Sequence, residues 1–112
     1  MSELIQENEL RSVIVGTRYR GQAAIDAIAR MRPGDSVRLE RENHPNDIYA
    51  IQCHYLGTFV GYIPKLMNVR IAPQMDSGSI ATAVVETSAV IRRGNFIQTE
   101  PKLRITLGEP QQ

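Results

Sequence analysis

Three segments of the chain alternate strictly between apolar and polar residues, and this pattern constrains the fold more than any other feature. They cover residues 36–42, 50–55 and 102–107. Successive side chains of a strand point to opposite faces, so each segment predicts a half-buried strand, and we expect antiparallel pairing. The predicted buried faces consist of Val37 and Leu39, Ile51 and Cys53, and Leu103, Ile105 and Leu107.

Apolar runs between turn residues bring the expected number of strands to about six. Residues 12–16 predict a first strand closed by glycine, and residues 59–63 a strand that returns from a hairpin at Gly57. Residues 79–91 are rich in β-branched residues and predict one long strand. Residues 92–101 contain glycine and asparagine and predict a loop.

Helical patterns are few. Apolar residues recur at intervals of three or four between residues 24 and 31, before a Pro-Gly stop, and predict one helix. Residues 65–75 predict a second, less regular helix, with Asn68 as a candidate cap and Pro73 as a limit on its regularity. Its apolar face would consist of Leu66, Met67, Ile71 and Met75.

These elements together predict a mostly-β domain with one or two short α-helices. Short strands joined by turns, without regular alternation of strands and helices, favour a small closed or partly open β-barrel similar to the oligonucleotide-binding (OB) fold. The length of 112 residues fits one domain. We expect a flexible N-terminal arm at residues 1–10, the domain at 11–108 and a flexible tail at 109–112.

The composition excludes several classes of protein. A formal net charge of +1 gives no bulk attraction for nucleic acid, so any such function must come from local charge. A single cysteine excludes an intrachain disulfide and a cysteine cluster that holds zinc. The acidic start lacks the apolar core of a secretory signal, and no apolar run approaches the roughly 20 residues that span a bilayer. We therefore expect a cytoplasmic protein.

No catalytic motif emerges from the sequence. The glycines form no phosphate-binding loop, which argues against an ATPase. Cys53 and His54 are neighbours on a predicted strand, so their side chains point to opposite faces and cannot act as a thiol–imidazole pair. We interpret Cys53 as a buried apolar residue.

The remaining polar residues do not predict catalysis either. The spacing of His44, Asp47 and His54 matches no known metal site. Glu40 and Glu42 share one face of a strand and are explained by a solvated face. We therefore expect neither enzymatic activity nor a metal or cofactor.

Three segments, read in order, resemble the HIRAN domain. They are Val-Gly-Thr-Arg-Tyr-Arg-Gly at 15–21, Leu-Glu-Arg-Glu-Asn-His-Pro-Asn-Asp-Ile-Tyr-Ala-Ile at 39–51, and Val-Gly-Tyr-Ile-Pro-Lys at 60–65, followed by Asp-Ser-Gly at 76–78. The resemblance spans roughly residues 12–107 and implies a compact barrel related to the OB fold. In eukaryotic remodelling ATPases this domain binds single-stranded DNA at a free 3′ end, so the resemblance implies the same ligand and a connection with DNA repair.

The resemblance also implies roles for individual residues. Arg18 would contact phosphate, and Tyr19 would stack on a base. Asp47 would accept a hydrogen bond from the terminal hydroxyl, and Lys65 would contact phosphate. Locally the charge agrees, because residues 11–32 hold five arginines against one aspartate.

Two positions depart from the pattern of the family. Asn46 stands where end-binding members have an aromatic residue, so one side of the base sandwich would be missing. His44 stands where they have asparagine, and it could still donate a hydrogen bond to phosphate. Tyr62, in the third segment, could belong to the core or to the groove.

Simpler interpretations stay open for these residues. Asp47 could serve only as an Asx-turn residue. Tyr19 could be a half-buried aromatic at the rim, and Lys65 could belong to a solvated face. A protein-interaction module that kept the barrel but lost the DNA-end pocket is the alternative function, and a separate helicase or nuclease is a possible protein partner.

Overall fold

The computed structural model describes residues 8–92 and 96–109. The strands are β1 (Glu9–Val13), β2 (Ser36–Arg41), β3 (Ile51–Tyr55), β4 (Thr58–Tyr62), β5 (Ala81–Thr87), β6 (Val90–Arg92), β7 (Phe96–Thr99) and β8 (Lys102–Leu107). The α-helices are α1 (Gln22–Ala29) and α2 (Lys65–Asp76), and a short 3-10 helix covers Thr17–Arg20. The predicted mostly-β class is confirmed.

Six strands form one antiparallel sheet in the order β1-β8-β5-β2-β3-β4, and β6 pairs with β7 in a separate hairpin. The large sheet is not closed into a barrel as expected, since β1 and β4 are its edges. Within the described part of the chain, one isolated bridge joins the two edges. Val15, just after β1, exchanges two backbone hydrogen bonds of 2.9 Å with Tyr62 at the end of β4.

The core lies on the face of the sheet that the alternation predicted. Val37 and Leu39 of β2, and Ile51 and Cys53 of β3, are buried. On β8 Leu103 and Ile105 are buried as well, and Leu107 is half-buried. The buried side of α1 comprises Ala24, Ile25, Ala27 and Ile28, and all of these except Ile25 belong to the apolar core cluster. Burial of these apolar faces is the main stabilising term of such a domain.

Gly61 permits the crossing of the two edges. Its φ of +151° lies in a region that residues with a Cβ rarely adopt. A Cβ at this position would lie 2.5 Å from the Val15 carbonyl oxygen and 2.7 Å from Cγ2 of Ile14. The backbone of residues 14 and 15 can therefore lie against β4 only because this position has no side chain.

The first strand differs from its predicted position. It covers Glu9–Val13 rather than residues 12–16, so it includes two residues that were assigned to the N-terminal arm. The physical reason is that Val15 pairs with Tyr62 and Gly16, with a φ of +79°, begins the 3-10 helix. Residues 1–7 and 110–112, which make up most of the expected arm and most of the expected tail, lie outside the described residues.

The long strand predicted for residues 79–91 is divided into β5 and β6. Between them the hydroxyl of Ser88 donates a hydrogen bond of 2.9 Å to the carbonyl oxygen of Met31, which turns the chain towards the end of α1. The loop predicted for residues 92–101 is also wrong in part, because β7 lies within it and pairs with β6. Residues 93–95 lie outside the described part of the chain.

The second helix is more regular than the sequence indicated, and Pro73 is accommodated in its last turn. Asn68 is not its cap; Pro64 takes that position, and Asn68 is buried within the helix. Leu66 does not join the apolar face, because 87% of its surface is exposed. Neither α-helix in the described part of the chain is long and apolar enough to cross a membrane.

We predict that Gly61→Ala destabilises the fold more than Gly57→Ala. Both positions have positive φ, but a Cβ at Gly57 would meet no atom within 4 Å. The steric term at Gly61 should add about 1–3 kcal/mol to the loss of unfolding free energy. Urea denaturation of the two variants measures this difference, and equal losses would show that the crossing of the edges does not depend on Gly61.

Candidate nucleic-acid interface

A cavity of about 330 Å³ lies between the turn after β2, the end of β4 and the start of α2. Five of the binding residues predicted from the sequence line it: His44, Asn46, Asp47, Tyr62 and Lys65. The other lining residues are Val15, Glu42, Ala50, Ile63 and Pro64. Residues that are separate in the sequence therefore share one concave site, the arrangement that ligand sites usually have.

Local hydrogen bonds shape the turn that carries three of these residues. Oδ1 of Asp47 accepts a hydrogen bond of 3.1 Å from the backbone N–H of Tyr49, so Asp47 forms an Asx turn while it also lines the cavity. Nδ1 of His44 accepts a hydrogen bond of 3.0 Å from the backbone N–H of Asn46. A neutral His44 therefore carries its proton on Nε2, which leaves that nitrogen as a donor.

Arg41 fastens the turn to the end of α2. Its guanidinium donates hydrogen bonds to both carboxylate oxygens of Asp76, at 2.9 and 3.2 Å. The same group donates to the carbonyl oxygens of Ala50 and Ile48, at 2.6 and 2.8 Å. The hydrogen bond from Arg41 lowers the pKa of Asp76. One planar cation thus joins both ends of the Asp76 carboxylate to two points of the turn.

Asn68 of α2 supports the turn through a hydrogen bond to Asp47, a role that the sequence analysis did not predict. Only 1% of its surface is exposed, and its Nδ2 donates a hydrogen bond of 3.1 Å to Oδ2 of Asp47. Its Oδ1 is buried without a hydrogen-bond partner among the described residues. One signal in the sequence could have indicated this role: Asn68 is a polar residue on the apolar side of the predicted helix, beside Ile71 and Ala72.

Glu42 also belongs to the cavity, so its interpretation as a solvated residue was wrong. Its Oε1 accepts hydrogen bonds from Nε2 of Gln52 at 2.6 Å and from the hydroxyl of Tyr62 at 2.9 Å. The hydrogen bond from Gln52 lowers the pKa of Glu42, and the Tyr62 hydroxyl and the charge of Arg20 add to this against the effect of burial. Burial and the bond to Glu42 raise the pKa of Tyr62, so the cavity wall presents an ionised carboxylate and a neutral phenol.

Arg18 and Tyr19 lie outside the lining of the cavity, on the 3-10 helix. Tyr19 is not half-buried, because 78% of its surface is exposed, and the Arg18 guanidinium lies 5.6 Å from the centre of its ring. The Val15–Tyr62 bridge brings this helix to the end of β4. Of the first segment of the family pattern, Val15 therefore lines the cavity, whereas Arg18 and Tyr19 lie beside it without forming its wall.

The described residues contain no arrangement suited to metal or thiol chemistry. In residues 8–92 and 96–109, no group of three or more His, Cys, Asp or Glu could hold a metal ion. Cys53 is fully buried, and burial raises the pKa of its thiol, as expected for a core residue. His54 lies on the opposite face of β3 and stacks on Phe59, with ring centres 5.2 Å apart.

We predict that Asn68→Ala lowers the free energy of unfolding by about 1–3 kcal/mol, because Oδ2 of Asp47 loses its buried donor. The exposed Asn43 of the same turn provides the matched control, and Asn43→Ala should change stability by less than about 0.5 kcal/mol. Urea denaturation measures both values. Equal effects would contradict the supporting role of Asn68.

Comparison with known proteins identifies the family. The HIRAN domain family profile matches residues 8–107. The fold is similar to the crystal structure of the HIRAN domain of human HLTF, with a TM-score of 0.65 and 24% sequence identity over 89% of this chain and 74% of that chain. It is also similar to a crystal structure of a protein from Lactobacillus plantarum, with a TM-score of 0.65 and 26% identity over 86% of this chain and 91% of the other.

No curated protein sequence matches the chain at a significant level. HIRAN is a binding domain without catalytic activity in itself. The family match covers almost all of the described residues, including the cavity and the 3-10 helix beside it. The chain therefore belongs to the HIRAN domain family, and this membership supports nucleic-acid binding.

Proposed function

We propose that this chain is a non-catalytic module that binds single-stranded DNA and receives the free 3′ end of the strand in the 330 Å³ cavity. The observation that carries the proposal is the presence of Asp47 and Lys65 in the wall of one cavity. A strand end offers a hydroxyl donor next to a phosphate, and these two side chains supply an acceptor and a cation.

The cations of the site bind the phosphate. Lys65 is exposed at the first position of α2, and no carboxylate of the described residues forms an ion pair with it. Nε2 of His44, in the turn that lines the same cavity, adds a hydrogen-bond donor. Arg18, beside the cavity, provides a second phosphate contact along the strand.

The carboxylates make the site selective for a hydroxyl. Each oxygen of Asp47 accepts one hydrogen bond within the protein, and a carboxylate oxygen can accept a second. A terminal phosphate would be repelled by both Asp47 and Glu42, because all three groups are anionic. The free hydroxyl is therefore the group that this cavity accepts.

Base stacking is the weaker component of the site. Tyr19 offers an exposed ring, and stacking on an aromatic side chain is worth about 1–3 kcal/mol per base. Asn46 lines the cavity where a second ring would complete the sandwich. With a net charge of only +1, we expect low affinity that depends on salt.

A protein-interaction module is the second candidate, and one observation favours it. A second cavity of about 470 Å³ lies along β1 and the start of α2, where Val13, Pro64, Leu66, Met67 and Leu103 provide apolar walls. An exposed apolar groove is typical of surfaces that bind other proteins. Binding to such a partner would respond weakly to salt, whereas binding to a strand would respond steeply.

We predict that the wild-type protein prefers a strand with a 3′ hydroxyl over one with a 3′ phosphate by about tenfold or more, the value of a hydrogen bond to a charged group. Asp47→Asn keeps the acceptor for Tyr49 but removes the charge, so the preference should fall towards unity. Fluorescence anisotropy with the two strands measures it. An unchanged preference in the variant would show that Asp47 does not read the strand end.

We also predict that Lys65→Ala weakens binding to every strand. The slope of log affinity against log salt should decrease by about 0.7, since one phosphate contact is lost. Lys102→Ala is the matched control, because Lys102 is an exposed lysine on β8 outside this cavity. The control should keep the slope of the wild type.

The wild-type salt series decides between the two candidate functions. If no strand shows salt-sensitive binding, and Asn46→Tyr does not restore it, the proposal for DNA fails. The protein-interaction module is then the better account of the chain.

A further inference from the structure

Arg20 is held in a defined position next to the cavity. It is exposed at the end of the 3-10 helix, and its guanidinium carbon lies 4.1 Å above the centre of the Phe59 ring. At this distance the guanidinium is in van der Waals contact with the ring and gains a cation–π interaction. The conformational entropy of a long side chain is therefore lost during folding rather than on binding.

The ring under Arg20 is itself fixed by neighbours. Phe59 is half-buried on β4, stacks on His54 across the strand pair, and meets Tyr62 edge to face with ring centres 5.3 Å apart. Nε2 of His54 is 2.7 Å from Oε1 of Gln52, and Nε2 of the same Gln52 donates a hydrogen bond to Glu42. The support of Arg20 is thus continuous with the wall of the cavity.

The hydrogen-bond donors of Arg20 are not taken up by an ion pair. Within residues 8–92 and 96–109, no carboxylate lies within ion-pair distance of its guanidinium. Its charge nevertheless acts on Glu42 and Tyr62, both of which line the cavity. Arg20 is therefore an available cation beside the site, although it is not part of its lining.

We propose that Arg20, seated on Phe59, is a stacking platform for the base of the nucleotide that precedes the one held in the cavity. This inference rests on the proposed function. A guanidinium plane stacks on bases as aromatic rings do, and here the aromatic partner below it keeps the plane in place. The platform supplies stacking that Asn46 cannot provide, from a different element of the fold.

The substitution Arg20→Lys separates stacking from charge, because lysine keeps the positive charge but lacks the planar guanidinium. We expect Arg20→Lys to weaken binding to an intact single strand by about fivefold or more, the lower limit for loss of one base stack. Its salt slope should equal that of the wild type. Phe59→Leu should have the same effect, because it removes the support of the guanidinium but not its charge.

Strands with one abasic nucleotide locate the contact. With an abasic penultimate nucleotide, wild type and Arg20→Lys should bind equally, whereas an abasic site at the third nucleotide should preserve the difference. Arg30→Lys is the matched control, because Arg30 lies at the end of α1 and acts on Tyr55 rather than on Glu42 and Tyr62. It should bind every strand as the wild type does.

Three outcomes would overturn the platform. If Arg20→Lys binds with the affinity of the wild type, Arg20 contributes only its charge, as a phosphate contact. If Arg20→Lys loses the same affinity on every abasic strand, the substitution has a structural effect. If only a terminal abasic nucleotide removes the difference in affinity between Arg20→Lys and the wild type, Arg20 contacts the nucleotide in the cavity instead. If the wild type discriminates 3′ ends but the Arg20 variants match it, the platform alone fails; if the wild type binds no strand, the proposed function fails as well.

Discussion

The backbone contact between Val15 and Tyr62 is the interaction on which the other features of the binding surface depend. It joins the two edges of an open sheet, and it exists because Gly61 leaves room for the chain to pass. The contact places the 3-10 helix next to β4, so that Arg20 packs on Phe59 although the two residues are 39 positions apart in the sequence. A surface built this way is set by main-chain hydrogen bonds, which tolerate changes of side chain at the helix while the crossing is kept.

The turn after β2 shows a different way to hold polar groups in place. Arg41 at the end of β2 ties the turn to Asp76 of α2, Asn68 of α2 donates to Asp47, and the Asx turn of Asp47 fixes the turn from within. Because these bonds form within the protein, a ligand meets side chains that are already oriented and loses less entropy on binding. With the carboxylates of Glu42 and Asp47 and the cation of Lys65 in one small cavity, the arrangement favours discrimination between ligands over strength of binding.

Local patterns in the sequence predicted the features that depend on local chemistry. Alternation predicted the buried faces of β2, β3 and β8, and turn-forming residues predicted the segment around Asp47. What the sequence could not supply depends on contacts between distant segments. Glu42 has the same pattern as Glu40, yet Glu40 pairs with Arg38 in solvent whereas Glu42 meets Gln52 and Tyr62. Asn68 is equally ambiguous, because the preference of asparagine for helix caps is a local property and its burial against Asp47 is not.

The position of Cys53 gives the molecule an internal reporter. It is the only cysteine of the chain, it is 0% exposed, and it lies in β3 between the two strands that lead into the cavity. A thiol reagent can reach it only when this part of the sheet opens, so the rate of labelling measures the free energy of that local opening. A ligand that binds only the closed form must slow the labelling by the factor with which it stabilises that form. Occupancy of the cavity can thus be followed in the unmodified chain, without a label on the ligand.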